Sequence, residues 1–135
     1  MSIQRNIRIL SLFANIGVAE ARLNEIDGVE VVVANELVKR RAELYQRIYP
    51  HSKMICGDIL DDAIYSQVVD CCLENQVDVV MATPPCQGIS TAGQQIEDDE
   101  RNSLTIPALH AISDLRPRYA ILENVPGYLK TSIVY

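Results

Sequence analysis

The sequence predicts an α/β fold in which helices cover both faces of a parallel sheet. Short, nearly continuous apolar runs alternate with longer segments whose apolar positions recur at helical spacing. Strands that are apolar at almost every position are typical of a parallel sheet buried on both faces. The sequence shows no internal repeat, low-complexity tract or linker that would divide it. We therefore expect one Rossmann-like sheet with strand order 3-2-1-4-5 and right-handed crossovers.

Five strands and four helices follow from these patterns. The strands are predicted at Ile7–Phe13, Val29–Ala34, around Met54-Ile55, Val77–Ala82 and Tyr119–Leu122. The helices are predicted at Val18–Ile26, Leu37–Tyr49, Ala63–Glu74 and Leu104–Leu115. The stretch Gln87–Ser103 is rich in Gly, Ser, Gln and acidic residues. A loop of that length inside a domain is usually a lid or a binding loop.

Composition narrows the possible functions. The 135 residues suffice for one domain with a hydrophobic core, and 48% hydrophobic with 22% charged residues is typical of a soluble globular protein. The net charge of −6 argues against broad electrostatic attraction of this segment to nucleic acid. No apolar run in the sequence approaches membrane-spanning length, and its N-terminal residues lack the long apolar core of a signal peptide. The four cysteines lack zinc-type pair spacing, so we expect reduced thiols, a cytoplasmic location and no metal site.

The most informative segment is Thr83-Pro84-Pro85-Cys86-Gln87-Gly88, which directly follows an apolar strand. The two prolines fix φ and end the strand, so they hold the cysteine at the carboxyl end of the sheet. Open α/β sheets bind their ligands at that edge. A lone cysteine beside a turn is more often buried. A second motif, Glu123-Asn124-Val125, follows another apolar strand and favours an active site.

Three further features follow the first three predicted strands. Phe13-Ala14-Asn15-Ile16-Gly17 forms a tight turn into a predicted helix, where backbone N–H groups can meet a polar ligand. Glu36-Leu37 comes roughly twenty residues after Gly17, the spacing at which an acidic group commonly takes ribose hydroxyls. Asp58-Ile59 offers a carboxylate and an aliphatic side chain that suit an adenine ring. The alternatives are a helix-dipole charge for Glu36 and a helix cap for Asp58, Asp61 or Asp62. Their coincidence at one edge favours an adenosine-containing cofactor.

These motifs together resemble the cytosine-C5 DNA methyltransferases, which use S-adenosylmethionine. The turn Phe13–Gly17 resembles the family's F-A-G-x-G-G motif, Pro85-Cys86-Gln87 its nucleophile motif and Glu123-Asn124-Val125 its E-N-V motif. The resemblance runs from about Ile7 to Gly127. It implies that residues 1–135 are the N-terminal part of a cofactor-binding and catalytic methyltransferase domain. It also implies a Rossmann-like class I methyltransferase fold.

The resemblance also implies a role for each matching residue. Cys86 is expected to be the nucleophile that adds to C6 of a cytosine flipped out of DNA, and Glu123 the acid that contacts the ring. Asn124 is expected to shape the loop around the cysteine. Nucleic-acid contacts are expected from Gln87 and Ser90. The cofactor contacts are expected from Phe13, Ala14, Asn15, Ile16, Gly17, Glu36, Leu37, Asp58, Ile59, Pro85 and Leu104.

The chain departs from the family pattern at two places. Asn15 and Val18 stand where the first motif usually has glycine. Asn tolerates a left-handed backbone best among non-glycine residues, so the turn is expected to survive. The sequence ends at Tyr135, before the further strands, the basic motif and the target-recognition domain that the resemblance implies. We therefore expect a C-terminal half or a second subunit to supply them, unless the sequence is a fragment.

Other readings explain less of the sequence. A tRNA cytosine-C5 methyltransferase shares these motifs, and an inactive cofactor-binding or scaffolding subunit is also possible. A dehydrogenase reading lacks the G-x-G-x-x-G turn and leaves Cys86 unexplained. A Cys86–His110 hydrolase would need a helical histidine to reach the loop. Lys39-Arg40-Arg41 could contact phosphate, but Lys39 and Glu43 are spaced as a helix ion pair, which favours a solvated face.

Overall fold

The sheet has five parallel strands in the order β3-β2-β1-β4-β5, as the sequence predicts. A computed structural model of the chain describes residues 5–85 and 104–124. The strands are β1 Ile7–Leu12, β2 Val29–Glu36, β3 Lys53–Cys56, β4 Val79–Ala82 and β5 Tyr119–Leu122. The helices are α1 Lys39–Ile48, α2 Asp62–Glu74 and α3 Thr105–Leu115, with a short 3-10 helix at Leu23–Glu25. Among these helices, none is long and apolar enough to cross a membrane.

Helices pack on both faces of the sheet, which confirms the predicted layering. On one face, α2 and α3 cover a core centred on Leu10, Leu12, Val33 and Val80. On the other face, α1 packs against β2 and β3 through Tyr45. Strand β2 shifts register beside Ile9 and Leu10 of β1, so its later residues change face.

The predicted helix over Val18–Ile26 is wrong, because only a 3-10 turn forms there. The backbone bonds in this segment join residues three apart, such as Leu23 N–H to Glu20 O at 2.9 Å. Helical propensity over so short a segment is marginal without an apolar face to bury. Val18 is 73% exposed and Ile26 53% exposed, so that face is missing. The other three predicted helices are confirmed.

Two local predictions about helix ends are also decided. Asp61, and not Asp58 or Asp62, caps α2 by accepting hydrogen bonds from the N–H groups of Ala63 and Ile64. The first turn of α2 is therefore capped by the side chain of the residue that precedes the helix. In α1, Lys39 and Glu43 form the expected ion pair, with 3.9 Å between nitrogen and oxygen.

Strand β5 lies at one edge of the described sheet, and all four of its residues are exposed. The exposed fractions of its large apolar side chains are 63% for Tyr119, 51% for Ile121 and 43% for Leu122. A parallel strand is normally buried on both faces. The predicted apolar surface beside strand five is thus confirmed within the described residues.

Asp78 joins three strands at the amino end of the sheet. Its buried carboxylate accepts a hydrogen bond from Arg8 N–H at 3.1 Å and pairs with the Arg5 guanidinium at 3.3 Å. Its backbone N–H donates to Arg8 O at 2.7 Å, while its carbonyl accepts from Arg118 N–H at 2.8 Å. One residue therefore links β1, β4 and the approach to β5.

We expect Asp78→Ala to destabilise the chain by about 1–3 kcal/mol, because it leaves the Arg8 N–H without its side-chain acceptor. Asp78→Asn should cost less, since an amide oxygen can still accept that hydrogen bond. Arg5→Ala should cost under about 1 kcal/mol, as is usual for an exposed ion-pair partner. Urea unfolding of the three variants measures the order. An equal loss for Asp78→Asn and Asp78→Ala would show that the charge, and not the hydrogen bond, is what matters.

Candidate functional site

A cleft of about 650 Å³ opens along the carboxyl ends of the strands. This is the edge where open parallel sheets bind their ligands. The segments that follow β1, β2, β3, β4 and β5 all contribute to its wall. Its lining residues are Phe13, Ala14, Asn15, Val18, Ala19, Asn35, Glu36, Leu37, Val38, Arg41, Gly57, Asp58, Ile59, Thr83, Pro85, Leu104 and Glu123.

The turn at Phe13–Gly17, called here the β1 turn, has an unusual backbone. Phe13, Asn15 and Gly17 all have positive φ, at 58°, 52° and 85°. The left-handed region at Asn15 confirms the prediction that asparagine can replace the family's glycine there. Phe13 is a non-glycine residue without that tolerance, so the turn carries strain. Hydrogen bonds from Ala14 N–H to Asn35 O at 3.0 Å and from Gly17 N–H to Ala14 O at 2.9 Å hold it.

Glu36 connects the β1 turn to the start of α1. One carboxylate oxygen accepts from Asn15 N–H and the other from Val38 N–H, each at 2.8 Å. The side chain is buried but still lines the cleft. Both interpretations of Glu36 from the sequence therefore agree with its position. It supports the beginning of a helix, and it also faces the cleft. Each carboxylate oxygen has a second lone pair with which a ligand hydroxyl could bond.

Asp58 and Ile59 form the wall beside β3. Asp58 is exposed, and one of its oxygens accepts a hydrogen bond from Leu60 N–H at 2.9 Å. Ile59 is buried against the core of the α2 face. Behind them, the buried amide of Asn35 donates to Ile55 O at 2.9 Å and to Gly57 O at 3.1 Å. Asn35 thereby fixes the path of the chain that presents both residues.

The opposite wall comes from the segments after β4 and β5. Thr83 donates a hydrogen bond to Phe13 O at 3.3 Å and so ties this wall to the β1 turn. Pro85 and Glu123 are exposed at the cleft, and Leu104 lies just before α3. Glu123 N–H donates to Ala82 O at 3.1 Å, which extends the pairing of β4 with β5. The cleft therefore has polar side chains after each of the five strands, with apolar residues among them.

Most of the residues predicted for the site meet in this cleft. Ile16 and Gly17 do not line it. Ile16 is exposed, and Gly17 is buried within the turn. Asn124 follows Glu123 but is not among the lining residues. Cys86, Gln87 and Ser90 lie outside the described residues. The roles assigned to all of these side chains remain predictions.

Several lining residues were not predicted as site residues. Arg41, interpreted from sequence as a solvated position, is exposed and also lines the cleft. Its position one turn after Val38, at the start of the helix that follows Glu36, is a signal that could have found it. Asn35 and Thr83 could have been found from their places at the ends of β2 and β4. Val38, Gly57 and Ala19 carry no such signal.

Comparison with known proteins identifies the family. A family model described as C-5 cytosine-specific DNA methylase matches residues 7–132. The Type II methyltransferase M1.HgaI of Avibacterium volantium is 44% identical, over 96% of this chain and 38% of its own length. The chain thus spans well under half the length of this relative.

Solved structures agree with this assignment. A protein described as a DNA modification methyltransferase encoded within an E. coli prophage superposes with a TM-score of 0.70 at 26% identity, over 90% of this chain and 33% of its own. A mutant of Spodoptera frugiperda DNMT2 has the same fold, with a TM-score of 0.64 at 22% identity, over 94% of this chain and 38% of its own. The family match over nearly the whole chain, on a sheet of the expected order, shows that the protein belongs to the C-5 cytosine-specific DNA methylase family.

Proposed function

We propose that this chain is the N-terminal part of an enzyme that transfers a methyl group from S-adenosylmethionine to C5 of cytosine in DNA. The supporting observation is the convergence of segments from all five strands on one cleft at the carboxyl edge of the sheet. Residues 1–135 then form the cofactor-binding and catalytic part of a methyltransferase domain. The family to which the chain belongs gives the substrate class.

The cleft has the donor and acceptor groups that S-adenosylmethionine requires. The buried carboxylate of Glu36 suits the ribose hydroxyls, and Asp58 with Ile59 suits the edge and face of the adenine. Phe13, Asn15 and the backbone of the β1 turn would line the methionine end. When bound, the cofactor supplies a methyl group carried on a sulfonium sulfur. Pro85 and Leu104 would lie on the far side of this ligand.

Cys86 is the most suitable nucleophile among the cysteines of the chain. Burial, then the neighbouring Cys71, raises the pKa of Cys72 to about 12, so its thiolate is scarce near neutral pH. The pKa of Cys71 is also raised by burial and by the charge of Glu74. Cys56 is exposed, but it is not among the residues that line the cleft. Cys86 directly follows Pro85, which does line it.

The proposed chemistry begins with the Cys86 thiolate. Its addition to C6 of the flipped cytosine forms a carbon–sulfur bond and moves an electron pair towards C5. C5 would then form a bond to the methyl carbon while the bond from that carbon to the sulfonium sulfur breaks, which leaves S-adenosylhomocysteine. Transfer of the C5 proton to a base and elimination of the Cys86 thiolate from C6 would restore the double bond between C5 and C6. The carboxyl group of Glu123 would contact N3 and the amino group of the ring and stabilise the ring as the thiolate adds.

A second polypeptide segment is needed to complete this enzyme. The chain covers only 38% of the length of M1.HgaI. The apolar residues of the edge strand β5 are exposed in the described structure. An exposed apolar edge strand is suited to pairing with a further strand. We infer that a C-terminal half or partner subunit covers β5 and carries the target-recognition domain that holds DNA.

We expect Glu36→Ala to weaken the affinity for S-adenosylhomocysteine by about 1–3 kcal/mol, or roughly 5- to 150-fold. The substitution removes the ribose acceptor and leaves two backbone N–H groups without a partner. Glu36→Gln should lose less, because its amide oxygen can still accept. Isothermal titration calorimetry measures both affinities. Glu43→Ala, which removes an exposed carboxylate from the same region, is the control and should bind as the wild type does. An unchanged affinity for Glu36→Ala would exclude Glu36 from the site.

We expect Cys86→Ser to abolish methyl transfer while leaving cofactor affinity within about twofold, because a hydroxyl is a far weaker nucleophile near neutral pH. With DNA that contains 5-fluorocytosine, the wild-type enzyme should form a covalent adduct, since fluorine at C5 blocks elimination. Peptide mapping of the adduct should identify Cys86. An adduct at Cys56 would give the nucleophile's role to that residue instead.

The need for a second polypeptide can be tested by mixing this chain with the part of M1.HgaI that it does not match. We expect transfer of labelled methyl groups to duplex DNA only when both polypeptides are present, because the determinants of DNA binding lie in the second. Ile121→Lys on the exposed edge of β5 should prevent assembly without unfolding the chain. Transfer to tRNA but not to DNA would favour the RNA-modifying alternative. Cofactor binding without transfer to either would favour the scaffolding one.

A further inference from the structure

The β1 turn lacks the support that such a turn usually has. In a dinucleotide-binding fold, a helix begins directly after the glycine turn and its N-terminus faces the ligand. Here the described residues after Gly17 form turns and the short 3-10 helix, with hydrogen bonds between residues three apart. Something else must therefore hold three positive-φ residues in place.

Helix α1 contacts the β1 turn from below. The Tyr49 hydroxyl, at the end of α1, donates a hydrogen bond to Gly17 O at 2.6 Å. At the other end of α1, Glu36 bridges Asn15 N–H and Val38 N–H. Gly17 is thus attached to the C-terminal end of α1, and Asn15 is linked through Glu36 to its N-terminal end.

A third attachment involves a buried carboxyl group. Glu20 is fully buried, and the Tyr45 hydroxyl donates to its Oε1 at 3.4 Å, which is long for such a bond. Its Oε2 has no hydrogen-bond partner within the described part of the chain. Burying a carboxyl group with an unpaired oxygen is costly, so the fold must hold this segment firmly against α1. Tyr45 is itself fully buried.

The two tyrosines form one packed unit beneath the turn. They are one helical turn apart, and their ring centroids lie 4.8 Å from each other. Burial, with the charge of Glu20, raises the pKa of both hydroxyls, so each remains a donor. A Cβ at Gly17 would overlap the Tyr49 ring and would come within 3.0 Å of Tyr45 Cε2. Glycine is therefore required at residue 17 both by its φ and by this packing.

We propose that α1, and not a helix following the turn, holds the β1 turn in the geometry that binds S-adenosylmethionine, with Tyr49 and Glu20 as its positioning residues. Neither side chain lines the cleft, so both act through the backbone of the turn. The inference deepens the proposed function and rests on it for the identity of the ligand. The attachment of the turn to α1 can be measured without any ligand.

The test compares Tyr49→Phe with the wild-type chain by amide hydrogen exchange and by calorimetry. The substitution removes only a hydroxyl and keeps the ring. We expect exchange at Asn15 and Gly17 to accelerate roughly tenfold, because the turn opens locally once its hydrogen bond is lost. Amides in the middle of β1 should exchange at the wild-type rate. The affinity for S-adenosylhomocysteine should fall by a similar factor, and Tyr45→Phe, which removes the hydroxyl that donates to Glu20, should show the same pattern.

Tyr65→Phe is the matched control, because its hydroxyl donates to Asp114 at 2.6 Å and joins α2 to α3, away from the turn. It should alter global stability without changing turn exchange or ligand affinity. Wild-type exchange at Asn15 and Gly17 in Tyr49→Phe would overturn the proposal, as would an effect equal to that of Tyr65→Phe. If the wild-type chain binds no S-adenosylhomocysteine, the proposed cofactor site fails in this chain. In that case, hydrogen exchange at Asn15 and Gly17 still tests whether the β1 turn is attached to α1.

Discussion

The carboxylate of Glu36 is the interaction on which the cleft depends. It accepts hydrogen bonds from Asn15 N–H and Val38 N–H, so it fixes the β1 turn relative to the start of α1. Both backbone groups belong to segments whose own secondary structure cannot supply the partner. A charged acceptor forms stronger hydrogen bonds than a neutral one, particularly where water is partly excluded. The polar wall of the cleft is therefore built from the same group that is proposed to recognise the ligand.

The two ends of the sheet are used differently. At the amino end, Asp78 and Arg8 satisfy backbone and side-chain groups of neighbouring strands. At the carboxyl end, the β1 turn with its positive-φ residues and the side chains of Thr83 and Pro85 line the cleft. Strain at Phe13 is tolerated because β1 pairs with both β2 and β4 up to Leu12, directly before the turn. Stability and ligand binding are thus assigned to opposite edges of one sheet.

The absence of an α-helix between β1 and β2 changes how the site is supported. A helix N-terminus would offer free N–H groups and a favourable dipole to an anionic ligand. In this chain the turn is instead attached to α1 by two hydrogen bonds. Tyr49, directly after α1, donates to Gly17 O, and Tyr45 of α1 donates to Glu20. S-adenosylmethionine, the proposed ligand, carries a sulfonium cation and a carboxylate but no phosphate, so a helix dipole aimed at an anion is less important for it than for a dinucleotide. The exposed apolar side chains of β5 concern a separate surface, suited to a further strand rather than to the cofactor.

The sequence by itself determined the strand order, three of the four predicted helices and the segments that meet at the cleft. These features follow from periodicity and from punctuation by Pro, Gly and Asn, which act over a few residues. It also indicated that Asn15 could adopt a left-handed backbone, because that tolerance is a property of asparagine itself. The segments that bear Glu36, Asp58 and Glu123 were predicted to share one edge, since the carboxyl ends of parallel strands must do so.

Only the tertiary structure decided how that edge is held. Whether residues 18–26 become a helix depends on an apolar face that Val18 and Ile26 do not find. The hydrogen bonds of Glu36 with Asn15, of Tyr49 with Gly17 and of Tyr45 with Glu20 join residues more than ten positions apart. Such contacts depend on how α1 lies across β2 and β3, and side-chain packing between elements leaves no periodic signal in a sequence. Arg41 enters the cleft for the same reason: the position of α1, and not its own neighbours, brings it there.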